Sequence, residues 1–174
     1  TSVSRGLGDV YKRQIHNYDF ALQMFGPVSS VQSSSLQFDT TSVGADTATA
    51  IINFESGDQH ALMWSWGIAA GTPVTSLNDF IGPKGTLQFG MTAQTAPASF
   101  NPQTQGAFTL KAANGREKVY TYRKKDMFAE QAKHVTRCFE RSEQPLVTAE
   151  DGLAALSVAD AVLRAGRNQS TVKL

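Results

Sequence analysis

The sequence predicts an α+β domain: an open, predominantly antiparallel β-sheet with helices packed on one face. Three observations predict it. Apolar residues recur at helical spacing near both ends of the chain. Through the middle they alternate with period two. Turn residues punctuate the alternating stretches at hairpin spacing. Strands gathered together, then helices gathered together, give α+β rather than a doubly wound sheet. The 174 residues suffice for one domain with a substantial core.

The elements follow in order. Residues 1–14, TSVSRGLGDVYKRQ, show neither helical nor alternating periodicity. They read as a non-native tail, a cloning or sequencing scar, and the domain is expected to occupy 15–174. Ile15, Tyr18, Leu22 and Phe25 form a helical stripe that Gly26-Pro27 stops. Leu36 and Phe38 begin the alternation. Ala50, Ile52 and Phe54 continue it, Ser56-Gly57-Asp58 turns the chain, and Leu62, Trp64 and Trp66 share one face of the returning strand. That tryptophan pair is either an interface patch or part of the core. Residues 77–81 form the next strand. Gly82-Pro83-Lys84-Gly85 is a tight turn, and Leu87, Phe89 and Met91 return. Residues 92–106 read as a long exposed loop, and Asn114-Gly115 joins strands at 108–112 and 119–122.

The last third is helical. Residues 127–141 carry an apolar stripe at 128, 132, 135, 138 and 139, on which Cys138 reads as a small buried hydrophobe. Thr148 and Asp151 form a capping box for a second helix. Its stripe is Leu153, Leu156, Ala159 (or Asp160) and Leu163, and Gly166 ends it. A short strand closes the chain at 171–174. The expected total is seven to nine strands, one helix before them and two after.

Composition narrows the function. Sixteen Lys+Arg against fifteen Asp+Glu leave a formal charge of +1, too little to draw nucleic acid or an anionic membrane, so neither is an expected partner. No apolar run approaches the roughly 20 residues of a membrane-spanning helix, and the expected location is cytoplasmic. A lone cysteine excludes an intrachain disulfide and a cysteine-rich zinc site. His16, His60 and His134 lack metal-ligand spacing, so no metal is expected. His60 reads as a packing residue and His134 as a surface residue. There is no phosphate-binding P-loop and no nucleophile elbow. Gly6-Leu7-Gly8 follows no strand and carries no weight as a dinucleotide signal. His16, with Asp19 one turn on, reads from the residues alone first as an exposed His–Asp pair; it is also the one candidate for acid/base chemistry, because imidazole both takes and gives a proton near neutral pH.

Several segments together resemble one family. Ile15-His16-Asn17-Tyr18-Asp19-Phe20-Ala21-Leu22, followed by Phe25-Gly26-Pro27-Val28, resembles the entry to the C-terminal domain of Gfo/Idh/MocA-type oxidoreductases. Gly82-Pro83-Lys84-Gly85-Thr86-Leu87 resembles its strand-turn-strand element. Phe128-Ala129-Glu130-Gln131, Pro145, and Glu150-Asp151-Gly152-Leu153-Ala154-Ala155-Leu156 through Val172 resemble its closing helices and last strand. The resemblance covers about residues 15–174. It implies a missing N-terminal Rossmann domain that binds NAD or NADP. It implies hydride transfer between nicotinamide and a hydroxyl-bearing carbon of a sugar or cyclitol, with this chain supplying the substrate side. It also implies a homo-oligomer assembled through the open sheet face. His16 matches the histidine of the family's D-x-x-x-H segment, a proton shuttle. Asn17 and Asp19 beside it are candidate substrate-binding residues. The aspartate of that segment falls at Lys12, so no role passes to position 12.

On this reading the 174-residue chain alone neither binds the cofactor nor turns over substrate. A second reading, from a different class, is a non-catalytic sheet domain for binding or oligomerisation. A free-standing ligand-binding β-barrel is weaker, because two C-terminal helices with apolar stripes need a sheet face to cover.

Overall fold

In the computed structural model the alternation resolves into two antiparallel four-stranded sheets, each in its own unit. The structure describes residues 5–38, 45–69, 71–73, 78–91 and 96–174, with backbone only at 5–13. The fold is α+β and its sheets are open, as the sequence predicts; the single sheet expected is divided in two.

The first unit contains the chain up to Thr72 and from Gln144 onward. Helix α1 (Arg5–Phe25) leads into β1 (Val28–Leu36), β2 (Thr47–Phe54) and β3 (Gln59–Ser65). After the second unit come α3 (Ala149–Asn168) and β8 (Val172–Lys173). The sheet order is β3-β2-β1-β8. Register puts Val31 opposite Ile52, and Ile52 opposite His60. The β2–β3 hairpin closes as expected, with Gly57 at φ +90 in the turn.

Burial in this unit follows period two on the strands, except at the start of β1, where a register shift between Val28 and Ser30 buries both Val28 and Val31. Val31, Ala48, Ala50, Ile52, Phe54 and Trp64 face inward, and α1 adds Tyr18 and Ala21. Trp64 therefore belongs to the core, which settles that alternative for this residue. The opposite sheet face carries Thr49, Ile51 and the 83%-exposed Met63.

Three expectations in this unit are corrected. Helix α1 begins at Arg5 rather than Ile15. Extending a helix whose later turns are already packed adds one hydrogen bond per residue fixed, without a new nucleation cost. Helix α3 buries Ala155, Val158, Ala159, Ala161, Val162 and Ala165; of the expected stripe Ala159 is inside and the three leucines are not. Leu153 lies across the helix from Val162 and is exposed, as is Leu156, while Leu163 only borders the core. Small residues let the helix approach β1 closely. Gly166 does not end α3, which runs to Asn168 and closes on Gln169 in the left-handed region at φ 48. A Cβ at Gly166 would stand 3.0 Å from the Ser35 hydroxyl, so this glycine serves contact with β1 instead.

The second unit spans Pro73–Glu143. Strands β4 (Asp79–Gly82), β5 (Gly85–Phe89), β6 (Gln105–Ala112) and β7 (Glu117–Arg123) pair in sequence order, and α2 (Met127–Arg141) follows. Leu77, the expected start of β4, and positions 92–95 of the expected loop lie outside the described residues. The Gly82–Gly85 turn needs glycine at position 85: φ is +144, and a Cβ would collide with the Lys111 carbonyl. One sheet face carries aromatic pairs, with Phe80 and Phe89 at 6.0 Å and Phe108 stacked on Tyr120 at 4.9 Å.

Helix α2 has the predicted bounds and an Asp126 N-cap. Its apolar stripe is nevertheless not buried: Phe128 is 75% and Phe139 85% exposed. Cys138, expected to be buried, is half-buried and lies 3.6 Å from the Nε2 of half-buried His134, expected at the surface. Helix α3 packs on β1 and β8, and α1 packs mainly against α3, reaching the sheet through the Phe25–Phe54 ring contact. No described helix is long and apolar enough to cross a membrane.

Candidate functional site

Helix α1 is anchored along one side. Tyr18 and Ala21 are buried, and Ile15, Leu22 and Phe25 pack against the core. At 3.6 residues per turn this fixes what points away. His16, Asn17 and Phe20 are exposed, and Asp19 is half-buried. The predicted site residues therefore share an open stretch of one rigid helix.

Their hydrogen bonds run along that helix. The Asn17 amide donates to Gln14 Oε1 at 2.7 Å, and Gln23 Nε2 donates to Asp19 Oδ2 at 3.1 Å. Gln14 is buried, so its side chain gives Asn17 a fixed partner. Asp19 is thus held toward the next turn. His16 presents an exposed imidazole on this side of the helix.

Other polar groups lie inside the first unit. His60 Nδ1 and Trp64 Nε1 are buried on the inner side of β3, and neither has a hydrogen-bond partner among the described residues. Burial pushes the His60 pKa down from its ordinary value. The Tyr18 hydroxyl is likewise buried without a partner there, and burial pushes its pKa up.

Sequence reasoning missed Asp46. Its buried carboxylate accepts the Phe38 N–H at 3.0 Å and the Thr47 hydroxyl at 2.9 Å. The Trp66 N–H donates to its carbonyl at 2.8 Å, tying the β3 exit to the β2 entrance. A Cβ on Gly67 would stand 2.6 Å from this carboxylate. The available signal was Asp-Thr at the start of an alternating strand, with Trp-Gly at the end of its partner.

Among the described residues no three His, Cys, Asp or Glu side chains are grouped to hold a metal ion. Nor do they fit a dinucleotide. Every strand pairing is antiparallel, so no parallel strand–loop–helix unit is present among them. Asp126 takes the first amides of α2, and Asp151 closes the capping box of α3. Carboxylates at those two helix starts repel a pyrophosphate, which needs free N–H groups.

The sequence profile of the C-terminal alpha/beta domain of the Gfo/Idh/MocA oxidoreductase family matches residues 5–174. This chain belongs to that family. As a Gfo/Idh/MocA C-terminal domain it shares its fold with several solved oxidoreductases. Aldose-aldose oxidoreductase from Caulobacter crescentus, complexed with glycerol, aligns at TM-score 0.68 and 23% identity, over 92% of this chain and 45% of that one. An oxidoreductase from Agrobacterium radiobacter, in complex with NAD+, L-tartaric acid and magnesium, aligns at TM-score 0.69 and 17% identity, over 93% and 48%. The WlbA dehydrogenase from Bordetella pertussis, in complex with NADH and UDP-GlcNAcA, aligns at TM-score 0.61 and 16% identity, over 93% and 43%. The chain spans less than half the length of each of these three. None of the curated proteins matches it.

Proposed function

We propose that this chain is the substrate-side domain of an NAD(P)-dependent oxidoreductase. The reaction moves a hydride between nicotinamide and a hydroxyl-bearing carbon of a sugar or cyclitol. The observation that carries the reading is His16, exposed on a helix whose opposite side is locked into the core of a Gfo/Idh/MocA domain. Two structural neighbours are described with a nicotinamide cofactor, one with L-tartaric acid and the other with UDP-GlcNAcA, which supports this class of chemistry.

The cofactor belongs to a second lobe, since the residues described here do not fit it. Loss of hydride from a carbinol carbon requires loss of the hydroxyl proton as well. His16 takes that proton in oxidation and returns it in reduction. Asn17 and Asp19, held by Gln14 and Gln23, flank His16 around the helix and offer an amide and a carboxylate to substrate hydroxyls from either side of it. The outward sheet face with Thr49, Ile51 and Met63 packs against a second copy of the chain.

The test uses a protein carrying both lobes. Nicotinamide absorbance is followed against a panel of sugars and cyclitols, for the parent and for His16→Ala. Turnover by the parent that collapses in the variant supports the proposal; equal turnover overturns the role of His16. Calorimetric titration of NADH into the 174-residue chain alone is expected to show no binding. Light scattering of the two-lobe protein is expected to show an oligomer.

A non-catalytic sheet domain for binding or assembly is the second reading. It is favoured by the same bonds that tie Asn17 and Asp19 to neighbours on their own helix. Absence of turnover across the panel, with NADH still bound by the two-lobe protein, decides for it.

A further inference from the structure

We draw no further inference here: the strongest candidate, the exposed apolar face of helix α2 formed by Met127, Phe128, Val135 and Phe139, carries nothing because nothing in the structure shows what covers it.

Discussion

The ring of Phe25, in the last turn of α1, meets the ring of Phe54 at the end of β2, with centroids 5.1 Å apart and planes inclined by 50°. The contact joins the helix that carries His16 to the sheet. Tilted aromatic pairs of this kind contribute about 0.5–1.5 kcal/mol beyond area burial.

Replacing Phe54, which is 3% exposed, therefore removes both a core filler and this tie. Phe54→Ala is expected to cost about 3–5 kcal/mol, measured by urea unfolding. Phe54→Leu is expected to cost clearly less, because most of the volume remains.

His16 is exposed, and its removal leaves no cavity. His16→Ala is expected to shift unfolding free energy by no more than about 0.5 kcal/mol. Turnover in the two-lobe protein is expected to fall by roughly 10²–10⁴-fold, the usual share of general acid/base catalysis. A loss of activity accompanied by a loss of stability would instead mark His16 as structural.

The His60 pKa is held below 6.5 by burial, so the folded state resists the proton that the unfolded state accepts. Stability is full above the unfolded value and falls as pH drops through it. The urea midpoint is expected to be lower at pH 5.5 than at pH 7.5. His60→Phe should remove part of that slope. An unchanged slope in the variant would assign the pH dependence to other groups.

Gln169 closes α3 at φ 48, where a side chain is strained. Gln169→Gly is expected to raise stability by about 0.5–1 kcal/mol, read as a higher melting temperature. A fall would show that the glutamine side chain contributes more than its backbone costs.

Local chemistry made much of this fold legible. Both ends of α2 were readable from its periodicity, and the α3 capping box needed only Thr148 and Asp151. The hairpins at Gly57 and Asn114-Gly115 were readable from turn residues. Strand β1 was harder. Its VSSVQSSSL has weak strand propensity and forms because β2 and β8 pair with it on either side. The buried face of α3 escaped because leucine gave the stronger pattern, whereas close packing on β1 selects alanine and valine. Asp46 escaped for a related reason: besides its neighbour Thr47, its partners Phe38 and Trp66 come from two other strand ends that only the fold brings to it. Of the candidate site, the residue types and their helix were legible; the partners of Asn17 and Asp19 were not.

The alanine seam of α3 has a thermodynamic consequence. Ala155, Ala159, Ala161 and Ala165 have no rotamers to freeze, so docking this helix sacrifices almost no side-chain freedom at those four positions. The gain per residue is small, but nearly all of it is retained. At those positions no flexible side chain is present to absorb an added methylene, so overpacking between α3 and β1 has to be met by a shift of backbone.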